Sequence, residues 1–167
     1  MSKVRGFEAV DEKHIQSFEV FTDEKGKRHK FPIKPKLPTR ADDGSAGYDF
    51  YLQKDLKLLP MQKLLIWTDV KAYMKEDEFL FISLRSSLGH KQGLMLSNSQ
   101  GIIDSSYYNN PGNDGNIGIS VVNTTGKTIS LSAGERIAQG IFMKYLLADE
   151  DNTLSDKRVG GIGSSGK

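Results

Sequence analysis

The sequence predicts an all-β protein: a sandwich, barrel or jelly roll with one short helix. Three observations carry this. Apolar, β-branched and aromatic residues fall in many short runs, a composition that suits a pleated, half-buried backbone. Gly, Pro, Asp or Asn mark most of the joins, as turn chemistry requires. No stretch keeps the period of a long amphipathic helix.

In order along the chain, "FEVFT" (18–22) reads as a strand and "DEKGK" as the turn after it. "DLKLLP" alternates and stops at Pro60. "KLLIWTDVKAYM", "EFLFISL", "LMLSN", "NIGISVVN", "KTISLS" and "RIAQGIFMKYL" follow as strands. "SSLGHKQG" is the short helix, with Ser86 suited to its N-cap and Gly93 to its C-cap. The end of the chain, "SDKRVGGIGSSGK", is rich in Gly and Ser, which predicts a flexible arm. The expected organisation is a β domain over 1–150 and an arm over 151–167.

Composition narrows the function. The chain has 167 residues, 37% hydrophobic and 26% charged, a globular balance with enough length for a core. It has no apolar run of membrane-spanning length. "MSKVRGFEAVDEKH" has no apolar signal region, so a cytoplasmic location is expected. No cysteine is present, which excludes disulfides, thiolate metal sites and a cysteine nucleophile. His14, His29 and His90 lack metal-ligand spacing. The net charge of +2 implies no nucleic acid by itself. "KGKRHKFPIKPK" (25–36) is locally basic. It reads as a polyanion patch or, with limited aromatic interleaving, as a solvated hairpin turn and linker.

The tail "GIGSSG" fits a G-x-G-x-x-G pattern, and "GIGSSGK" fits the start of a P-loop. Both need a helix after the glycines, and none follows here. A glycine loop that folds over phosphates, or a disordered tail, remains. "RSSLGHKQG" puts Arg85, Ser86 and Ser87 at a strand end: an anion site, or an N-cap beside a surface Arg. "GIIDSSYY" brings Asp104 out of a buried strand, where a carboxylate can orient water or accept a proton. Tyr107 can lay its ring on a sugar or base. The plainer alternative is a turn-starting Asp and a core-covering Tyr. "SAGYDF" carries Asp49. "GERIAQGIF" carries Gln139, a polar amide in an apolar run that needs a partner.

Taken in order, these pieces resemble the trimeric dUTPase (dUTP diphosphatase) family. Its motif A-G-x-D-L is similar to Ala46–Phe50, and R-S-S-x-G to Arg85–Gly89. G-V-I-D-x-x-Y-x-G is similar to Gly101–Tyr107, with its last Gly displaced. G-x-R-I-A-Q is similar to Gly134–Gln139. R-x-x-G-F-G-S-T-G is similar to the stretch from Arg158 through Gly166. Each motif is weak alone and strong in this order. The resemblance implies a distorted jelly-roll-like barrel that assembles as a homotrimer with shared active sites, of the Gram-positive bacterial or phage type.

It also implies roles. Arg85, Ser86, Ser87 and Gln139 would hold the phosphates of dUTP. Asn98, the backbone from Gly101 through Ile102 and Ile103 to Tyr107, and Gly118 would read the uracil. Tyr107 would pack on the deoxyribose, and Asp104 would activate water for attack on the α-phosphorus, releasing dUMP and pyrophosphate. Mg²⁺ is the implied cofactor, touched by Asp49 through water. Arg158, Ile162, Gly163, Ser164 and Ser165 would close over the nucleotide. Ile162 stands where the family has a base-stacking aromatic. A loop at 109–114 is inserted after Tyr107. No membrane or nucleic-acid partner is expected. A repressor protein is a possible partner if the chain is phage-encoded, with the inserted loop as its docking segment. The alternative enzyme is a dCTP deaminase of the same fold, but that chemistry needs a glutamate and "NIGISVVN" has no acid.

Overall fold

The computed structural model describes residues 3–153. These form β1 (Gly6–Ala9), β2 (Phe18–Thr22), β3 (Arg28–Pro32), β4 (Thr39–Arg40), β5 (Tyr48–Tyr51), β6 (Leu56–Leu58), β7 (Lys63–Trp67), β8 (Val70–Tyr73) and β9 (Glu78–Leu84). After these come α1 (Ser86–Gln92), β10 (Leu94–Leu96), β11 (Gly101–Asp104), β12 (Gly118–Asn123), β13 (Ile129–Leu131) and β14 (Arg136–Lys144). Two 3-10 turns, Glu12–His14 and Ser105–Tyr107, complete the described elements.

Every strand pairing is antiparallel. The central sheet has the order β11-β9-β14-β5-β4, and a smaller sheet runs β10-β12-β7. Three further pairs are β1-β8, β13-β6 and β2-β3. The all-β expectation with one helix holds. The described strands form separate ladders, not one continuously hydrogen-bonded barrel.

Alternation builds the core. Leu80 and Ile82 of β9, and Ile119 and Val121 of β12, point inward, while their neighbours are partly exposed. They meet Phe50, Leu58, Leu94, Ile117 and Ile137 in one apolar cluster. Burying such a side chain is worth roughly 1.5–3 kcal/mol.

Local departures from the sequence reading have physical causes. "KLLIWTDVKAYM" is two strands, because Asp69 takes a φ of 57° between them and breaks the run. The basic segment 28–32 is strand β3, paired with β2. Asp23 Oδ1 accepts the amides of Lys25 and Lys27 at 3.0 and 2.9 Å to close their turn. The helix starts one residue earlier than its serine suggested: Arg85 is the N-cap, without a side-chain capping bond, and Ser86 is the first helical residue. Gly93 ends the helix in the left-handed region, φ 71°, as a C-terminal glycine should.

A buried polar network fastens the N-terminal segment. Asp69, at 0% exposure, accepts the amides of Gln16 and Ser17 at 2.8 and 2.9 Å. It also exchanges two 3.0 Å hydrogen bonds with Asn116. Beside it, Lys71 Nζ lies 2.8 Å from Asp114 Oδ2 and donates to Asn109 Oδ1 at 2.7 Å. The Asp11 amide donates to the same Asp114 oxygen at 2.7 Å. At the other end of β1, Arg5 donates to both oxygens of the buried Glu78.

Lys71→Ala leaves Asp114 buried without its cation. Such a change costs about 3–5 kcal/mol, to be read as a lower urea midpoint, and adding Asp114→Asn, which removes the unpaired charge yet tolerates the φ of 59° and can still accept the Asp11 amide, should restore part of the loss. The Arg5 hydrogen bonds hold the Glu78 carboxyl below its ordinary value, against the opposing effect of burial. A depressed folded pKa stabilises fully above the unfolded value of about 4.3 and loses that contribution as pH falls through the folded pKa. Urea unfolding from pH 6 down to pH 3, chosen to bracket that ordinary value of about 4.3, should therefore show a shallower acid loss in Glu78→Gln than in the parent.

Candidate active site

One half of the candidate site lies where the central sheet hands over to α1. β14 runs between β5 and β9, so Gln139 faces Asp49 on one side and Ser83 on the other. Arg85 follows β9, its amide held by the Ile137 carbonyl at 3.2 Å. Asp49 is buried and touches two cations: Arg85 Nε at 3.3 Å and Arg136 Nη1 at 3.0 Å. One buried carboxylate thus aims two guanidiniums, and the trio keeps one net positive charge. Arginine suits this because its planar fork leaves other N–H groups free for an anion. The register shift between Arg136 and Ala138 is a bulge of the kind that re-aims side chains at functional sites.

Gly47 explains the small residues before Asp49. A Cβ there would stand 2.6 Å from Gln139 Oε1, so only glycine lets the amide fold across the strand. Arg85 and Arg136 open onto a cleft of about 520 Å³, whose lining also includes Lys36, Ser87 and Gln92. Lys36 and Arg136 were not picked from the sequence. Lys36 lay in the basic stretch read as hairpin and linker, and its ammonium sits 3.7 Å over the Tyr51 ring. Arg136 lay inside the recognised "GERIAQ", where only Gln139 drew attention.

The other half is built by the turn from β10 to β11 and the loop beyond. Asn98 lies exposed in the turn between β10 and β11, and its neighbour Ser97 bonds to Ser120 of β12. Gly101 packs against Ile82, where an added Cβ would come within 3.0 Å of the Ile82 Cβ. Ile102 is exposed and Ile103 half-buried. Asp104 ends β11 opposite Phe79 and is an exposed residue. Gly118 opens β12 opposite Trp67.

Tyr107 is only 4% exposed, so little of its ring reaches the surface of the chain. Its hydroxyl donates to the Asn116 carbonyl at 2.9 Å. The inserted residues 109–114 fold inward around it, with Asn110 and Asp114 buried, leaving Asn109, Pro111 and Gly112 as the exposed tip. Tyr108, which had no assigned role, donates to Glu8 Oε2 at 2.6 Å. Burial, then this carboxylate, push its hydroxyl up to about 12. Hydrogen bonds from Lys3 and then Tyr108 hold Glu8 low in turn.

The two halves are not adjacent within one chain. Asp104 pairs with Phe79 near the start of β9, and Arg85 follows its end. At about 3.4 Å per strand residue they stand roughly 20 Å apart. Among the described residues no three His, Cys, Asp or Glu side chains gather as a metal cluster. No described helix is long and apolar enough to cross a membrane. Arg158, Ile162, Gly163, Ser164 and Ser165 lie outside the described residues.

An antiparallel β protein with a carboxylate-braced pair of arginines in a cationic cleft is of the class that binds phosphorylated ligands. Comparison with known proteins narrows it. The dUTPase family model matches residues 34–166. The deoxyuridine 5'-triphosphate nucleotidohydrolase of Lactococcus lactis is 40% identical over 153 residues, covering 91% of this chain and 98% of that one. A crystal structure of dUTPase from Streptococcus mutans aligns with a TM-score of 0.69 at 40% identity, covering 86% of this chain and 98% of that chain. The dUTPase of phage phi11 of S. aureus shares the fold at a TM-score of 0.62 and 19% identity, over 86% of this chain and 100% of its own. That protein is described with a structural Mg(II) ion. The chain belongs to the dUTPase family.

Proposed function

We propose that this protein hydrolyses dUTP to dUMP and pyrophosphate. Family membership supports the reaction, and the observation that carries it here is the Arg85–Asp49–Arg136 brace beside Gln139. Developing negative charge on transferring phosphates needs fixed donors that do not reorganise during the reaction. Arg85, Ser86, Ser87 and Gln139 hold the triphosphate. Asn98, the Gly101–Tyr107 backbone and Gly118 read the uracil edge. A tight backbone reader rejects thymine's methyl by steric exclusion, which a roomy apolar pocket does poorly.

Asp104 orients a water and accepts its proton as the water oxygen bonds to the α-phosphorus. The bond from that phosphorus to the bridging oxygen breaks, and pyrophosphate leaves with the electron pair. Bound Mg²⁺ would offset phosphate charge, and it usually arrives with phosphates, waters and few protein carboxylates. The single Asp49 suits that pattern: with both its oxygens facing arginines, it would hold the ion through water.

The roughly 20 Å between Asp104 and Arg85 along β9 supports a site shared between subunits of a homotrimer, with the carboxylate of one chain facing the arginine of another. A dCTP deaminase reading has no support: β12, Gly118–Asn123, carries no acid.

Pyrophosphate release should be seen with dUTP and not with the four standard dNTPs, and Asp104→Asn should lower kcat by about 10²–10⁴ while dUTP still binds by calorimetry. Activity retained in that variant removes the role given to Asp104. A mixing test addresses the shared site. Arg85→Ala and Asp104→Asn should each be inactive, yet subunit-exchanged mixtures should regain about a quarter of parental activity, because one in four such sites draws both intact residues. No recovery would place each complete site within one chain.

A further inference from the structure

The segment after Tyr107 is dense in asparagine hydrogen bonds, and two of them end on that tyrosine, one on its hydroxyl and one on its carbonyl. Asn113 Nδ2 donates to the Tyr107 hydroxyl at 2.7 Å and to the Asn116 carbonyl at 3.2 Å. Asn110 Nδ2 donates to the Tyr107 carbonyl at 2.8 Å and to Asn113 Oδ1 at 2.7 Å. Asn110 Oδ1 accepts the amides of Gly112 and Asn113 at 3.0 and 3.2 Å. Gly115 passes so close that a Cβ would stand 2.8 Å from the Tyr107 carbonyl, and its φ of 81° suits glycine.

The clamp is anchored at depth. Asn116, whose carbonyl takes the Tyr107 proton, is 1% exposed and bonded through its side chain to Asp69. Asp114 is tied to Lys71. Both ends of the tyrosine, phenol and backbone, are therefore fixed by residues the insertion supplies. A loop whose purpose was to present a docking surface would spend these amides outward.

We propose that Asn113, with Asn110, is a positioning and specificity-determining residue of the nucleotide site. The clamp fixes the Tyr107 ring as an unyielding wall beneath the sugar. A wall that cannot retreat excludes a ribose 2′-hydroxyl, whereas an unclamped ring can tilt and admit it. The inference rests on the reading of Tyr107 as the sugar contact. Asn113 touches no substrate in this scheme and acts only through Tyr107.

The test compares the KM for dUTP with the inhibition constant for UTP in the full-length trimer. Asn113→Ala removes the bond to the Tyr107 hydroxyl along with those to Asn110, the Asn116 carbonyl and the Gly115 amide, and should narrow the preference for dUTP over UTP by about tenfold, with kcat for dUTP changing far less. Tyr107→Phe keeps the ring and removes that bond together with the one the hydroxyl donates to the Asn116 carbonyl. It should give a similar narrowing, and the double variant should be no worse than either single one. Tyr107→Ala is the control for the underlying reading. If Tyr107→Ala narrows the preference but Asn113→Ala and Tyr107→Phe do not, the clamp is wrong and the sugar contact stands. If Tyr107→Ala leaves the preference unchanged, the sugar contact is wrong and the clamp falls with it. Equal weakening toward both nucleotides, or additive losses in the double variant, makes Asn113 structural only. Should Asn113→Ala fail to fold, Tyr107→Phe decides alone.

Discussion

The site hangs on the register of β14. This strand pairs with β9 on one side and β5 on the other, and the pairing sets Gln139 between Ser83 and Asp49. A slip of one residue would turn every side chain of the strand to the opposite face. Gln139 would enter the core, and Ala138, now fully buried, would face the cleft. The apolar face guards against this: Ile137 and Ala138 are sealed in the core, and Gly140 sits where a Cβ would meet Phe50, Leu80 and Ile82. Packing against the core is what holds the polar chemistry in place.

Electrostatics then works on that frame. A buried carboxylate is costly unless paired, and Asp49 is paired twice. Its gain for function is orientation: two arginines that would otherwise sample many rotamers are held toward one cleft. The same economy recurs across the molecule, where Asp69 and Asp114 are buried, accept backbone amides and pin the segment 11–17. The family match begins at residue 34, yet this preceding segment is bonded to the loop that surrounds Tyr107. The N-terminal strap and the insertion after Tyr107 thus act as one unit, each satisfying polar groups of the other.

Much of the site was legible because its chemistry is local. Ala46–Asp49, Arg85–Ser87 and Gly134–Gln139 are compact motifs whose spacing survives folding, and a glycine beside Gln139 reads directly as close approach. What stayed hidden depended on distant partners. Lys71 looks like an ordinary strand lysine until Asp114, far along the chain, is brought against it. Asp69 gave no sign that it would interrupt an apolar run, since its positive φ is supported by Asn116. "NNPGND" had the composition of an exposed turn. Asn and Pro favour turns whether their amides point outward or inward, so composition cannot say which way the loop faces.

The long stretch of β9 between the two halves of the site is itself informative. A single chain that kept Asp104 and Arg85 together would need another strand order, since each is pinned at its own end of the strand by a core residue, Leu80 near one and Leu84 near the other. The sheet therefore holds the two half-sites at opposite ends of β9. An isolated half has donors for phosphates without a base, or a base without donors, and neither can stabilise the transition state alone. In the proposed shared site, association of copies would supply the missing half without altering any fold inside the chain. It also makes the inward clamp on Tyr107 sensible. Under that proposal, a wall meeting a nucleotide held by another subunit would have to be rigid before the subunits meet, because its phosphate donors would belong to a different body.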